Sequence, residues 1–133
     1  MYMYRYLSVV FLVLLMTAFS GVAADGAGVV KNVDVEKFDK LRKDPKTVVL
    51  DVRTPKEFAA GHIAGATNID WYAPDFAEKV SKLDKGKTYL VHCAGGGRSA
   101  KACEKMSSLK LTNAFNLSGG FRAWEKAGKP VEK

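Results

Sequence analysis

Two uninterrupted apolar runs, "TVVLDV" at Thr47–Val52 and "TYLVH" at Thr88–His92, limit the fold of this chain more than any other feature. A strand with one wet face alternates apolar and polar residues. A continuous branched run is instead buried on both faces, as in a parallel sheet covered from two sides. Amphipathic stretches separate the runs. Asp34 is placed to cap a helix that carries Val35, Phe38 and Leu41 on one face and closes at "KDP", Lys43–Pro45. In "TPKEF", Thr54 can cap, Pro55 takes the first turn and Glu57 completes a capping box. Phe76, Val80 and Leu83 form a further helical stripe, and Ala102, Cys103, Met106 and Leu109 line one face of another. Gly28–Val33, Ala66–Ile69 and Asn113–Leu117 read as short strands, and "GGFRAWEKAG" as a last short helix. Strands joined by helical crossovers predict an α/β fold, a three-layer sandwich whose central, mostly parallel sheet has helices on both faces.

Such sheets hold ligands at the carboxyl ends of their strands. Cys93 stands there, in "HCAGGGRS", directly after a buried strand and before a helix. Three glycines let successive N–H groups turn inward as an anion-binding nest, and the following helix aims its positive end at the same point. A cysteine inside such a cup gains from ionising, because only the thiolate is stabilised, and a thiolate is a nucleophile. A flexible glycine turn beside a small core cysteine is the plainer reading of each feature alone. Their combination with "RS" and a well-patterned helix favours a working site. Cys103 shares an apolar helix face with Met106 and reads as a buried, inert thiol, so no disulfide to Cys93 is expected.

The amino-terminal 24 residues differ in kind. One charge, Arg5, precedes the apolar run Leu7–Phe19, and small residues follow with Val22 and Ala24 at the −3 and −1 positions before Asp25. That pattern is a secretory signal peptide over residues 1–24, with a mature domain at 25–133 in the periplasm or secreted. The alternative is an uncleaved anchor, disfavoured because the run tapers into Gly and Ala short of the roughly 20 apolar residues a span requires. No stable membrane insertion is then expected after cleavage. The formal charge of the chain is +7, but its lysines are spread through every segment without a basic run or interleaved aromatics. This excludes nucleic-acid binding and leaves a surface that attracts small anions.

The motifs "VVLDVRTPKEFAAGHIAGATNI", "YLVHCAGGGRSAKAC" and "NLSGGFRAWEKAGKPV" together resemble a single-domain rhodanese, a thiosulfate sulfurtransferase of exported bacterial type. The resemblance covers nearly all of the mature chain. It implies a six-residue active loop, Cys93–Arg98, where related phosphatases and arsenate reductases carry seven residues. A ring contracted by one position suits one sulfur on the cysteine better than a tetrahedral oxyanion. The implied chemistry is a two-step exchange. Cys93 takes the outer sulfur of a small anionic donor as a persulfide and passes it to cyanide or a thiol. The N–H groups of Ala94, Gly95, Gly96, Gly97, Arg98 and Ser99 would hold that sulfur, and Arg98 would attract the donor. No metal or cofactor is implied, and a monomer is expected.

Asp51 and Arg53 match the D-x-R motif that shapes the site rim in this family, with a structural ion pair and a substrate contact equally open. His92 and His62 read as packing and turn residues, Phe121 and Trp124 as core. Gly119 and Gly120 fit either a pocket wall or a helix-initiating turn. Where thiosulfate-specific members carry a basic residue after the cysteine, this chain has Ala94, which makes sulfur transfer in general a firmer expectation than thiosulfate use. The competing readings are a persulfide carrier or sensor without fast turnover and, disfavoured by loop length, a phosphatase or arsenate reductase.

Overall fold

The structure, a computed structural model, describes residues 30–133, so the signal-peptide segment and the start of the first strand lie outside the described residues. In chain order the elements are β1 (Lys31–Val33), α1 (Val35–Leu41), β2 (Thr47–Asp51), α2 (Pro55–Ala60), β3 (His62–Ile63) and β4 (Thr67–Asn68). They continue with α3 (Phe76–Ser81), β5 (Thr88–His92), α4 (Gly97–Ser108), β6 (Ala114–Leu117), α5 (Gly120–Lys126) and β7 (Val131–Glu132).

Five strands form one sheet in the order β1-β6-β5-β2-β4, and every pairing in it is parallel. The two apolar runs are its centre: β2 and β5 pair from Thr47 with Thr88 to Asp51 with His92. Alternate residues of these strands feed opposite cores. Leu50, Tyr89 and Val91 pack with Phe76 and Val80 of α3 and with Ala102, Cys103 and Met106 of α4. Val49 and Leu90 pack on the other face with Phe38 of α1 and with Phe121 and Trp124 of α5. Both faces are therefore covered, which is why neither run alternates. Each large apolar side chain buried this way contributes about 1.5–3 kcal/mol.

The helix signals act as read. Asp34 accepts from the Lys37 N–H at 2.8 Å, and Thr54 with Glu57 closes a full capping box on α2. Leu83 lies past the end of α3 yet still packs on the core. The Ala66–Ile69 strand is shorter than expected, although the Ile69 N–H still reaches the Asp51 carbonyl at 3.0 Å. The unexpected element is a second, two-stranded antiparallel sheet, β3 with β7, in which His62 opposes Glu132 and Ile63 opposes Val131. Two-residue strands have no periodicity to read, so only the folded chain brings these segments together.

Candidate active site

β5 ends at His92 and leaves Cys93 at the carboxyl edge of the sheet, 2% exposed. The chain then turns through Ala94, Gly95 and Gly96 into α4, which starts at Gly97. Gly96 adopts φ +110°, a conformation that excludes a side chain, and its N–H points at the Cys93 Sγ, 3.0 Å away. The Ser99 hydroxyl, from the first turn of α4, stands 3.3 Å from the same sulfur. That hydroxyl also lies 3.2 Å from the Gly96 carbonyl, so its single proton can go to either acceptor, and a thiolate draws it.

The outer side of the loop is anchored by α5. The Phe121 N–H donates to the Cys93 carbonyl at 2.8 Å and the Arg122 N–H to the Ala94 carbonyl at 3.1 Å. With these two carbonyls held outward, the N–H groups that follow are free to face the sulfur. Such close approach is possible only because residue 120 is glycine. A Cβ there would sit 2.6 Å from the Ala94 oxygen and 2.7 Å from the Cys93 oxygen, on a backbone of φ +59°. Gly119 caps α5 and Gly120 opens it, so the pair is the helix-initiating turn, and Gly120 also packs directly against the loop backbone.

Burial pushes the Cys93 thiol up, but hydrogen bonds from the Ser99 hydroxyl and from the N–H groups of Ser99, Gly96 and Gly95 outweigh it. The net direction is below the ordinary thiol value, as a cup of donors requires. Cys103 has no such partners. Burial, with a smaller contribution from the charge of Glu104, pushes it up to about 12. Both cysteines are free thiols, one activated and one not.

Arg98 has a placement that local sequence did not indicate. Its guanidinium makes a two-pronged ion pair with Glu57, at 2.8 and 3.0 Å, and its flank meets the exposed Tyr72 ring at 5.5 Å. Glu57 is the capping-box carboxylate of α2, so one side chain both caps that helix and holds the first turn of α4. The Arg98 hydrogen bonds bring Glu57 down to about 2.

Asp51 and Arg53 form a buried ion pair, with contacts of 2.7–3.1 Å, and Arg53 also donates to the Gly61 carbonyl at 2.7 Å. Its guanidinium carbon lies over the Phe121 ring, 4.2 Å from the ring centre. The pair ties β2 to the turn after α2 and engages Nε and Nη2 of Arg53. His92 is fully buried between Phe38 and Phe121, and burial pushes it below the ordinary imidazole value, so it is neutral. Its Nδ1 lies 3.3 Å from the Cys93 carbonyl and its Nε2 has no hydrogen-bond partner. His62 stacks on Phe58, with Nδ1 2.9 Å from the Phe58 carbonyl. Trp124 and Phe121 are core, as expected.

Beside the loop opens a cleft of about 440 Å³, bounded by Ala94, Arg53, Glu57, Gly61, Phe121 and Arg122 among others. Arg122 was not singled out in the sequence. The one available hint was its place directly after "GGF", the segment that must approach the cysteine loop.

A parallel α/β sheet presenting an activated cysteine in a ring of N–H donors at a strand end defines a cysteine-loop domain. Residues 34–127 match the model of the rhodanese-like domain. The chain belongs to the rhodanese-like domain family. It is similar to the chloroplastic thiosulfate sulfurtransferase 16 of Arabidopsis thaliana, 38% identical over 62% of this chain and 78% of that protein. The thiosulfate sulfurtransferase GlpE of Pseudomonas putida is 33% identical over 77% of this chain and 90% of its own length. Among solved structures, a rhodanese-related protein of Thermoplasma volcanium superposes with a TM-score of 0.69 at 36% identity, covering 77% of this chain and 97% of its own. These likenesses make the protein a sulfurtransferase at the level of the family.

Proposed function

We propose that the protein moves a sulfane sulfur from thiosulfate, or a similar anionic donor, to cyanide or a thiol through a persulfide on Cys93. The Cys93 thiolate attacks the outer sulfur of the donor, the S–S bond of thiosulfate breaks, and sulfite leaves with the electron pair. An acceptor nucleophile then attacks the outer sulfur of the persulfide, and the Cys93 thiolate departs and is restored. Sulfite and thiolate leave as anions, so neither step needs a general acid, consistent with the neutral, sequestered His92. Both resting thiolate and persulfide are anionic, and the same donors stabilise each.

The observation that carries the reading is a buried sulfur with the Gly96 N–H at 3.0 Å and the Ser99 hydroxyl at 3.3 Å, in the six-residue loop Cys93–Arg98. We further propose that the protein is exported and acts as a monomer; Arg5, the Leu7–Phe19 run and "VAAD" support export.

Incubation with thiosulfate followed by intact-mass measurement tests the proposal. One added sulfur of about 32 Da is expected, lost on addition of cyanide and absent in Cys93→Ser. Charging without discharge by cyanide or thiols would assign a carrier role instead. No mass gain, together with hydrolysis of an aryl phosphate, would overturn the proposal.

A further inference from the structure

We infer that Arg122 is the specificity-determining residue of this site, the cation that receives the charged end of the sulfur donor, while Arg98 serves as a positioning residue. The inference rests on the sulfur-transfer reading and concerns which donors the site accepts. With its outer sulfur against the buried Cys93 Sγ, a donor such as thiosulfate would direct its sulfonate end towards the cleft that Ala94 borders. That end bears formal negative charge before reaction and more as sulfite departs, so a cation at the cleft favours both capture and bond breaking.

Each cation near the cysteine loop can be assigned. Arg98 has two guanidinium nitrogens on the carboxylate of Glu57. Arg53 is 4% exposed, and its Nε and Nη2 are engaged by the Asp51 carboxylate and the Gly61 carbonyl. Both positive charges are already matched by a carboxylate. Lys133 also borders the cleft, past β7, and no hydrogen bond fastens it to the loop.

Arg122 differs from Arg53 and Arg98 in having an unmatched charge, and from Lys133 in being fastened to the loop. It is exposed, it borders the cleft with Ala94, and among the described residues it takes part in no ion pair. Its backbone is fastened to the active loop through the Ala94 carbonyl at 3.1 Å. Its Nη1 lies 3.4 Å from the point where a Cβ on Gly95 would begin. Gly95 contributes one of the N–H groups that lower the Cys93 thiol. The guanidinium thus stands beside the Gly95 peptide segment of the active loop. Glu125 borders the cleft one turn further along α5 without pairing with Arg122, which leaves the charge available to a ligand.

Position 94, next to the nucleophile, carries no charge in this chain. Arg122, delivered by α5, supplies one from outside the loop. A planar guanidinium also offers two parallel N–H donors to sulfonate oxygens, a geometry that a lysine ammonium lacks.

Steady-state kinetics on the full chain tests this with Arg122→Gln, Arg122→Lys and thiosulfate as the donor. Arg122→Gln should raise the KM for thiosulfate about tenfold, equivalent to about 1.4 kcal/mol, and lower kcat less than threefold. Discharge of a preformed Cys93 persulfide by the neutral thiol dithiothreitol should be unchanged. Arg122→Lys should recover most of the KM, because charge survives while the fork is lost. Added salt should raise the wild-type KM and leave that of Arg122→Gln nearly constant. An unaltered KM in Arg122→Gln would overturn the inference, as would an increase that Arg122→Lys does not relieve. If the wild-type protein itself takes up no sulfur, the sulfur-transfer reading fails. If it does and the variants match it, only the role of Arg122 fails.

Discussion

Replacing Glu57 with Gln isolates the ion pair that joins α2 to the first turn of α4. The amide keeps the shape of the side chain, and its oxygen can still accept from Thr54, so the capping box survives and only the charge is removed. Arg98, against the effect of burial and with smaller contributions from the Thr54 N–H and hydroxyl, holds the carboxylate at about 2 instead of 4.5, so the whole displacement is an upper bound for the ion pair. A displacement of that size corresponds to about 3 kcal/mol of folded-state stabilisation if taken at face value. The carboxylate side chain is 35% exposed, however, and solvent screens the pair, which reduces the expected loss to about 1–1.5 kcal/mol at pH 7. The sign follows from a depressed folded value. The stabilisation is complete above pH 4.5, declines as the pH falls towards 2, and is absent below both values. Urea unfolding of wild type and Glu57→Gln at pH 7 and at about pH 3, fitted with a common slope, measures the difference directly. The gap between the two proteins should shrink to less than half of its neutral-pH size at the lower pH. An equal gap at both would refute the ion pair as its source and point to lost helix capping.

Ser99→Ala removes the strongest hydrogen bond that lowers the Cys93 thiol, so alkylation of Cys93 should shift to higher pH and slow on the order of tenfold at pH 7. An unshifted pH–rate profile would place the activation in the backbone alone. Gly120→Ala should destabilise the fold by roughly 2–4 kcal/mol, from a left-handed backbone and a Cβ driven into the Cys93 and Ala94 carbonyls. Chemical denaturation checks it, and a loss below about 0.5 kcal/mol would mean that α5 can withdraw from the loop without cost. Cys103→Ser should leave sulfur charging unchanged by intact mass, because a thiol pushed up to about 12 is protonated at neutral pH. Lost charging would implicate Cys103 in a relay or a disulfide.

How much of this was legible in the chain itself follows from the range of the interactions. The apolar runs at Thr47–Val52 and Thr88–His92 state their burial on both faces through the absence of alternation, and the fold class follows. Asp34, Thr54 and Glu57 announce helix starts because a cap bonds to a backbone N–H within three residues. Cys93 declares itself because a nucleophile at a strand end, glycines and a helix start are contiguous.

Other features are invisible at that range. Glu57 and Arg98 are 41 positions apart, and nothing local marks either as the other's partner. The β3–β7 ladder joins residues some 70 positions apart through strands too short to show a period. Gly120 reads equally as a pocket wall or a turn until the cysteine loop lies against it, and Arg122 only as one more surface cation. Local sequence therefore determined the layers of the sheet, the helix starts and the position of the candidate nucleophile, since each depends on neighbours along the backbone. Tertiary structure alone decided which arginine is neutralised and which stays available, because charge pairing depends on side chains that converge only when the sheet has assembled.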